Sequence, residues 1–275
     1  MNHVHDHTIT DHTVIDRTPA GAAALLRALH VPGDPLVLVN AWDVASAREV
    51  VAAGGRAVGT SSAAIASSLG ESDDNTMPVA LAFGAIERIA SAVPVPVTAD
   101  VEAGYDLGAR ELVDALLAAG AVGCNLEDSD HRRPGALVDA EVMATRLAGV
   151  RAAAREAGVD IVVNARIDAL VRLDGDRSAA LAEVVRRGRR YAEAGADCVF
   201  PIGVGDPATA QQLVDQLDVP VNVGLAPGVV VAQMAAVGAS RVSVGPTFQR
   251  RAMADLRQRA GELLTPARPS HGRRG

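Results

Sequence analysis

The chain has no lysine: all 26 of its basic residues are arginine. That excludes chemistry built on a lysine amine, including Schiff bases, lysine-anchored pyridoxal phosphate and the P-loop grip on a nucleotide. Histidine is scarce too. His3, His5, His7, His12 and His271 lie near the ends, leaving His30 and His131 in the body. Too few remain for a histidine-rich zinc site, and a Ser-His-Asp triad is not expected. The two cysteines, Cys124 and Cys198, sit in apolar runs and read as small buried residues rather than reactive thiols. Aromatic residues make up 2% of the chain, so its 49% hydrophobic content must pack a core of Ala, Val, Leu and Ile. No apolar run approaches the roughly 20 residues that span a bilayer. Nor does the N-terminus carry an apolar signal region. Cytoplasmic residence, with no membrane partner, is the expectation. A net charge of −7 argues against nucleic acid as a partner.

What is present is a repeat. A helical pattern ends in Ala and Gly, and an apolar strand follows. Gly54, Gly120, Gly158, Gly195 and Gly238 mark five such junctions, where glycine can take the left-handed conformation that stops a helix. Strands are expected over 36–40, 57–61, 95–100, 123–127, 161–166, 198–202, 219–223 and 241–244. Strands that are apolar throughout, with helices between them, predict a parallel sheet. Eight such repeats predict an α/β chain folded as a (β/α)8 TIM-type barrel. An open, doubly wound sheet is the alternative. Its usual glycine-rich first turn is replaced here by Asn40-Ala41-Trp42-Asp43. Residues 1–20 and 265–275 read as polar tails around a single domain, 21–264.

In such barrels chemistry sits at the C-terminal strand ends. Asp100 and Glu102 end the third strand, and Glu127 ends the fourth. Alternation along a strand would put Asp100 and Glu102 on one face. Carboxylates gathered this closely repel unless a cation or proton relieves them. All-oxygen ligands suit a hard divalent ion, Mg²⁺ with Mn²⁺ as the substitute. Asp43 and Asp206 read as helix caps, whereas Asp128 reads equally as a cap or a site residue. Arg166, in line with the acidic cluster, is either a structural bridge to it or a fork for a substrate carboxylate. Metal and arginine together suit a small anionic 2-oxo acid, whose enolate the metal would stabilise. Thr60 and Ser61 are placed to donate hydrogen bonds to its oxygens. Trp42 and Asn125, also at strand ends, are further candidates for substrate contact.

Several segments, taken in order, resemble the isocitrate lyase/phosphoenolpyruvate mutase superfamily. They are Asn40 to Asp43, Gly59-Thr60-Ser61-Ser62, Ser68-Leu69-Gly70, Thr98 to Tyr105, Asn125 to Asp128 and Asn164-Ala165-Arg166. The resemblance implies a Mg²⁺-dependent barrel of phosphoenolpyruvate/pyruvate type acting on 2-oxo acids. It implies Asp100 as the direct metal ligand, with Glu102, Glu127 and Asp73 acting through water. Thr60, Ser61 and Arg166 would hold substrate. It further implies a homo-oligomer, tetramer or dimer, that exchanges a C-terminal helix over about 247–264.

Departures narrow the chemistry. Where the family's lyases carry a Lys-Lys/Arg-Cys-Gly-His loop, this chain has Asp128-Ser129-Asp130-His131-Arg132-Arg133-Pro134-Gly135. The acid groups of those lyases are therefore missing. So are the gating Lys and Asn of the enzymes that act on C–P bonds. The expectation is a lyase or decarboxylase that cleaves a C–C bond of an oxaloacetate-like acid. Mutase- or phosphonopyruvate hydrolase-like chemistry is one alternative. A catalytically inactive barrel serving binding or assembly is another.

Overall fold

The computed structural model describes residues 18–133, 135–173 and 175–265. Most of both expected tails lies outside these. The N-terminal boundary needs one correction, because helix α1 (Pro19–Ala28) already begins at Pro19. Thr18 Oγ1 accepts from Gly21 N at 3.1 Å, and proline occupies the first turn, where its missing N–H costs nothing.

All eight expected strands are present, several of them shorter. They are β1 Leu36–Leu38, β2 Val58–Gly59, β3 Val97–Asp100, β4 Gly123–Glu127, β5 Val162–Ile167, β6 Cys198–Pro201, β7 Asn222–Val223 and β8 Arg241–Ser243. The later helices are α2 Val44–Ala52, α3 Ser62–Leu69, α4 Val79–Ala90, α5 Ala109–Ala118, α6 Ala140–Glu156, α7 Ala169–Arg172, α8 Arg177–Glu193, α9 Pro207–Val214, α10 Val231–Ala236 and α11 Thr247–Leu264. The strands pair in parallel as β2-β3-β4-β5-β6 and as β1-β8-β7. Single parallel bridges, Ala41 to Thr60 and Val199 to Val221, link the two groups into one curled sheet. Asp43 and Asp206 cap α2 and α9 as expected, accepting from Ser46 N at 2.7 Å and Thr209 N at 2.8 Å. The five junction glycines all have positive φ.

Alternate strand residues face opposite sides of the sheet. Ala99, Leu126, Val163 and Ala165 pack outward with Leu112, Leu116, Leu147 and Val184 of the helices. A second apolar cluster joins Leu36, Leu38, Ala57 and Val162 to Ala23 and Leu26 of α1. A Cβ at Gly123 would lie 2.8 Å from Leu26 Cδ2 and 3.0 Å from Val162 O, so only glycine admits α1 this closely. At the opposite, C-terminal ends, register does the positioning. Asp100 pairs with Asn125, Asn125 with Asn164, and Glu127 with Arg166. No helix among the described residues is long and apolar enough to cross a membrane.

Candidate metal centre and active site

Asp100 closes β3 and is held from three directions. Its Oδ2 accepts from Ser62 Oγ at 3.0 Å and Ser62 N at 3.3 Å. Its Oδ1 accepts from Asn125 Nδ2 at 3.5 Å, and its own N–H donates to Thr60 Oγ1 at 2.9 Å. Glu102 reaches the cluster by a different route from strand alternation. The strand has ended, and Glu102 sits in a turn with φ of 50°. Asn75, Tyr105 and Asp106 are also left-handed, at φ of 63°, 51° and 58°. For such residues this conformation is uncommon and concentrates where packing overrides local preference. A bond from Asn75 N to Glu102 Oε2 and one of 2.8 Å from Tyr105 N to Asn75 Oδ1 tie the two turns together. The loop that carries Asn75 also carries Asp73, whose side chain reaches the surface, with Asp100 close enough to repel it.

The charge of this cluster is felt at Glu102, Asp73 and Tyr105. Burial, then repulsion from Asp73, Glu127 and Asp100, pushes the Glu102 carboxyl up to about 7, against the opposing Asn75 N–H. Partial desolvation and then the field of Asp100 raise Asp73, although its side chain reaches the surface. Tyr105 is raised by burial first and by Glu102 next. Glu102 Oε1 is buried and has no hydrogen-bond partner. Among the described residues, no three histidine, cysteine or carboxylate side chains converge tightly enough to enclose an ion by themselves.

Glu127 joins a second group. Its Oε2 meets Arg166 Nη1 at 2.7 Å, and its Oε1 meets His131 Nε2 at 2.7 Å. Burial raises Glu127, with Arg166 and then His131 pulling the other way. The same bond to Glu127 raises His131. Arg166 also grips Asp168, through Nε at 2.7 Å and Nη2 at 2.9 Å. Three of its five N–H groups are thus engaged. Both readings of Arg166 survive this geometry. It is a structural bridge, and each terminal nitrogen keeps one N–H for another acceptor.

Asp128 resolves as structural. It is fully buried, accepts from Asp168 N at 2.9 Å and Tyr191 OH at 2.8 Å, and pairs with Arg187 Nη1 at 3.0 Å. Ser61 caps α3, accepting from Ala64 N at 3.3 Å, so Thr60 and Ser61 both have structural employment. Trp42 lines an apolar groove of about 700 Å³ with Val37, Val39, Val50 and Phe248, and none of Asp73, Asp100, Glu102 or Glu127 lines it. Both cysteines are buried, and burial pushes each thiol up to about 12, in keeping with a packing role. Ser62, Asn75 and Arg241 escaped the sequence reading. Ser62 alone carried a signal, as the last residue of Gly59-Thr60-Ser61-Ser62.

A curled parallel sheet with acidic residues and an arginine at its C-terminal edge places the chain in the α/β class. The chain matches the family profile described as phosphoenolpyruvate phosphomutase over residues 26–264. It belongs to that family, within the phosphoenolpyruvate mutase/isocitrate lyase superfamily of lyases and mutases. An uncharacterised protein of Mycobacterium tuberculosis is 32% identical over 79% of this chain and 80% of its own length. A protein of Burkholderia cenocepacia J2315 is 37% identical, with a TM-score of 0.83 over 89% of this chain and 99% of that one. The structure of 2,3-dimethylmalate lyase is similar at 26% identity, with a TM-score of 0.79 over 91% of each chain.

Proposed function

We propose that this protein is a Mg²⁺-dependent lyase or decarboxylase that cleaves a C–C bond of a small, oxaloacetate-like 2-oxo acid. The observation that carries the reading is the cluster of Asp73, Asp100, Glu102 and Glu127. Burial, with the repulsion of its neighbours, leaves the Glu102 carboxyl at about 7, and Glu102 Oε1 is buried without a partner. That all-oxygen donor set fits a hard divalent ion. Asp100 is the direct ligand in this reading, and Glu102, Glu127 and Asp73 act through water. When bound, Mg²⁺ (or Mn²⁺) supplies Lewis-acid stabilisation of charge on the 2-oxo oxygen.

The chain's own residues do the rest. Arg166 presents its two remaining N–H groups to the substrate carboxylate, its plane fixed by Glu127 and Asp168. Thr60, Ser61 and Asn125 frame the substrate, whereas Trp42 lines the separate apolar groove. His131 holds a proton at Nε2 against Glu127 and is the candidate to deliver it, in a loop without the family's Lys and Cys acids. The curled sheet is read as a complete (β/α)8 barrel. Helix α11 buries only Gln249 and exposes Phe248, Met253, Leu256, Leu263 and Leu264. Beside it lies the apolar groove that includes Trp42 and Phe248. Both features support a homo-oligomer, dimer or tetramer, that exchanges α11.

The test is a panel of 2-oxo and 2-hydroxy acids, with Mg²⁺ and with chelator. Turnover that survives chelation, or that persists in Asp100→Ala, refutes the reading. The family's name favours C–P chemistry as a second reading, and release of phosphate from phosphonopyruvate would establish it. Binding without turnover of any acid would mark the protein as a catalytically inactive member.

A further inference from the structure

Beneath the acidic cluster, inside the curled sheet, lies an arginine that no carboxylate touches. Arg241 of β8 is fully buried. Its Nε donates to Ser243 Oγ at 3.0 Å and its Nη2 to Asn125 Oδ1 at 3.0 Å, while Nη1 has no partner. Around it are neutral groups: Asn164 donates to the same Asn125 oxygen at 2.8 Å, and Asn222 to the same Ser243 oxygen at 3.1 Å. Taking a cation out of water without a counter-charge is expensive, so a hydrocarbon would be the cheaper filler. One amide separates the guanidinium from the acidic site, because Asn125 Nδ2 points on to Asp100 Oδ1 at 3.5 Å. Burial lowers Arg241 to about 10, so it stays cationic at neutral pH. Of the groups that pull the other way, Cys198 and Cys124 are uncharged there, so Asp100 is the one anion whose field it feels, and that carboxylate is not in contact with it.

We propose that Arg241 is a specificity-determining residue that acts at a distance: its charge, which no carboxylate contacts and which lies one amide below Asp100, draws a dianionic acid into the site. The inference rests on the metal-dependent reading given above. A purely structural Arg241 would serve its hydrogen bonds to Asn125 and Ser243 alone. Those bonds and the charge separate in the test. Glutamine can hydrogen-bond in its place but carries no charge. A field has opposite effects on opposite ions, whereas a loosened fold weakens both.

The experiment is calorimetric titration of folded Arg241→Gln and wild type with Mg²⁺ alone, and with oxalate, a chelating dianion, at saturating Mg²⁺. A unit charge within roughly 10 Å of a divalent ion, at an effective dielectric of about 40, predicts changes of about tenfold. Mg²⁺ should bind more tightly and oxalate more weakly in the variant. With the assigned substrate, KM should rise more than kcat falls. Both ions weakened together, or neither changed, overturns the inference and leaves the metal site standing. Wild type that binds no Mg²⁺ overturns the metal reading and this inference with it. If Arg241→Gln does not fold, Arg241→Lys carries the test. A buried lysine gives up its proton far more readily than arginine. Oxalate affinity in that variant should then fall between pH 7 and 9 relative to wild type, and a parallel profile overturns the inference.

Discussion

Replacing Glu102 by glutamine should stabilise the metal-free protein and blunt its response to magnesium. Glu102 is 2% exposed. Burial and three neighbouring carboxylates raise its carboxyl from 4.5 to about 7. At pH 8 that difference corresponds to about 3 kcal/mol of destabilisation. Glutamine keeps an oxygen for Asn75 N–H but loses the charge on that bond, which returns about 1 kcal/mol. The net gain is therefore about 2 kcal/mol, or about 4–8 °C in Tm for a domain of this size. The sign with pH follows from the direction of the shift. Below 4.5 the carboxyl is protonated in both states and contributes no difference. Between 4.5 and 7 the folded protein keeps a proton that the unfolded chain has lost, so wild-type stability falls as pH rises. The advantage of the variant should be complete above pH 7 and small at pH 5. Thermal unfolding in chelator at pH 5 and pH 8 measures it, and a repeat with Mg²⁺ should raise Tm more in wild type than in the variant. A variant no more stable than wild type at pH 8, or equally favoured at both pH values, would refute the reasoning.

Other consequences are open to measurement. Arg187→Met strands the buried Asp128 carboxylate and should cost about 3–5 kcal/mol in urea unfolding; a change below 1 kcal/mol would show that Tyr191 and Asp168 N suffice. Arg166→Lys keeps a charge near Glu127 but cannot hold Asp168 through two nitrogens, so kcat/KM should drop by about 10²-fold with the circular dichroism spectrum intact. Mg²⁺ affinity should rise with pH up to about 7 as Glu102 yields its proton, and calorimetry in buffers of different ionisation enthalpy should register the proton release. Leu256→Arg on α11 should lower the mass found by light scattering if that helix docks between copies; an unchanged mass argues that it does not.

The sequence alone determined the α/β class, the eight strands and the acidic strand ends. These are local or periodic properties. Apolar runs, helix-stopping glycines and the caps at Asp43 and Asp206 are written in neighbouring residues, and resemblance supplied the family. The tertiary structure decided what each side chain does with its charge. Asp128 and Glu127 are consecutive acids, yet one faces Arg187 and Tyr191 among the helices and the other faces Arg166 and His131 at the site. Glu102 belongs to the cluster through a left-handed turn braced by Asn75, not through the alternation of a strand. Ser61, read from the sequence as a substrate contact, also caps a helix, and its neighbour Ser62 holds Asp100. Arg241 had no signal in sequence, because a guanidinium becomes costly and consequential only when folding strips its water and leaves no carboxylate beside it. Pattern along a chain reports which face a residue occupies; partners contributed by distant strands fix its charge, and only the folded sheet brings them together.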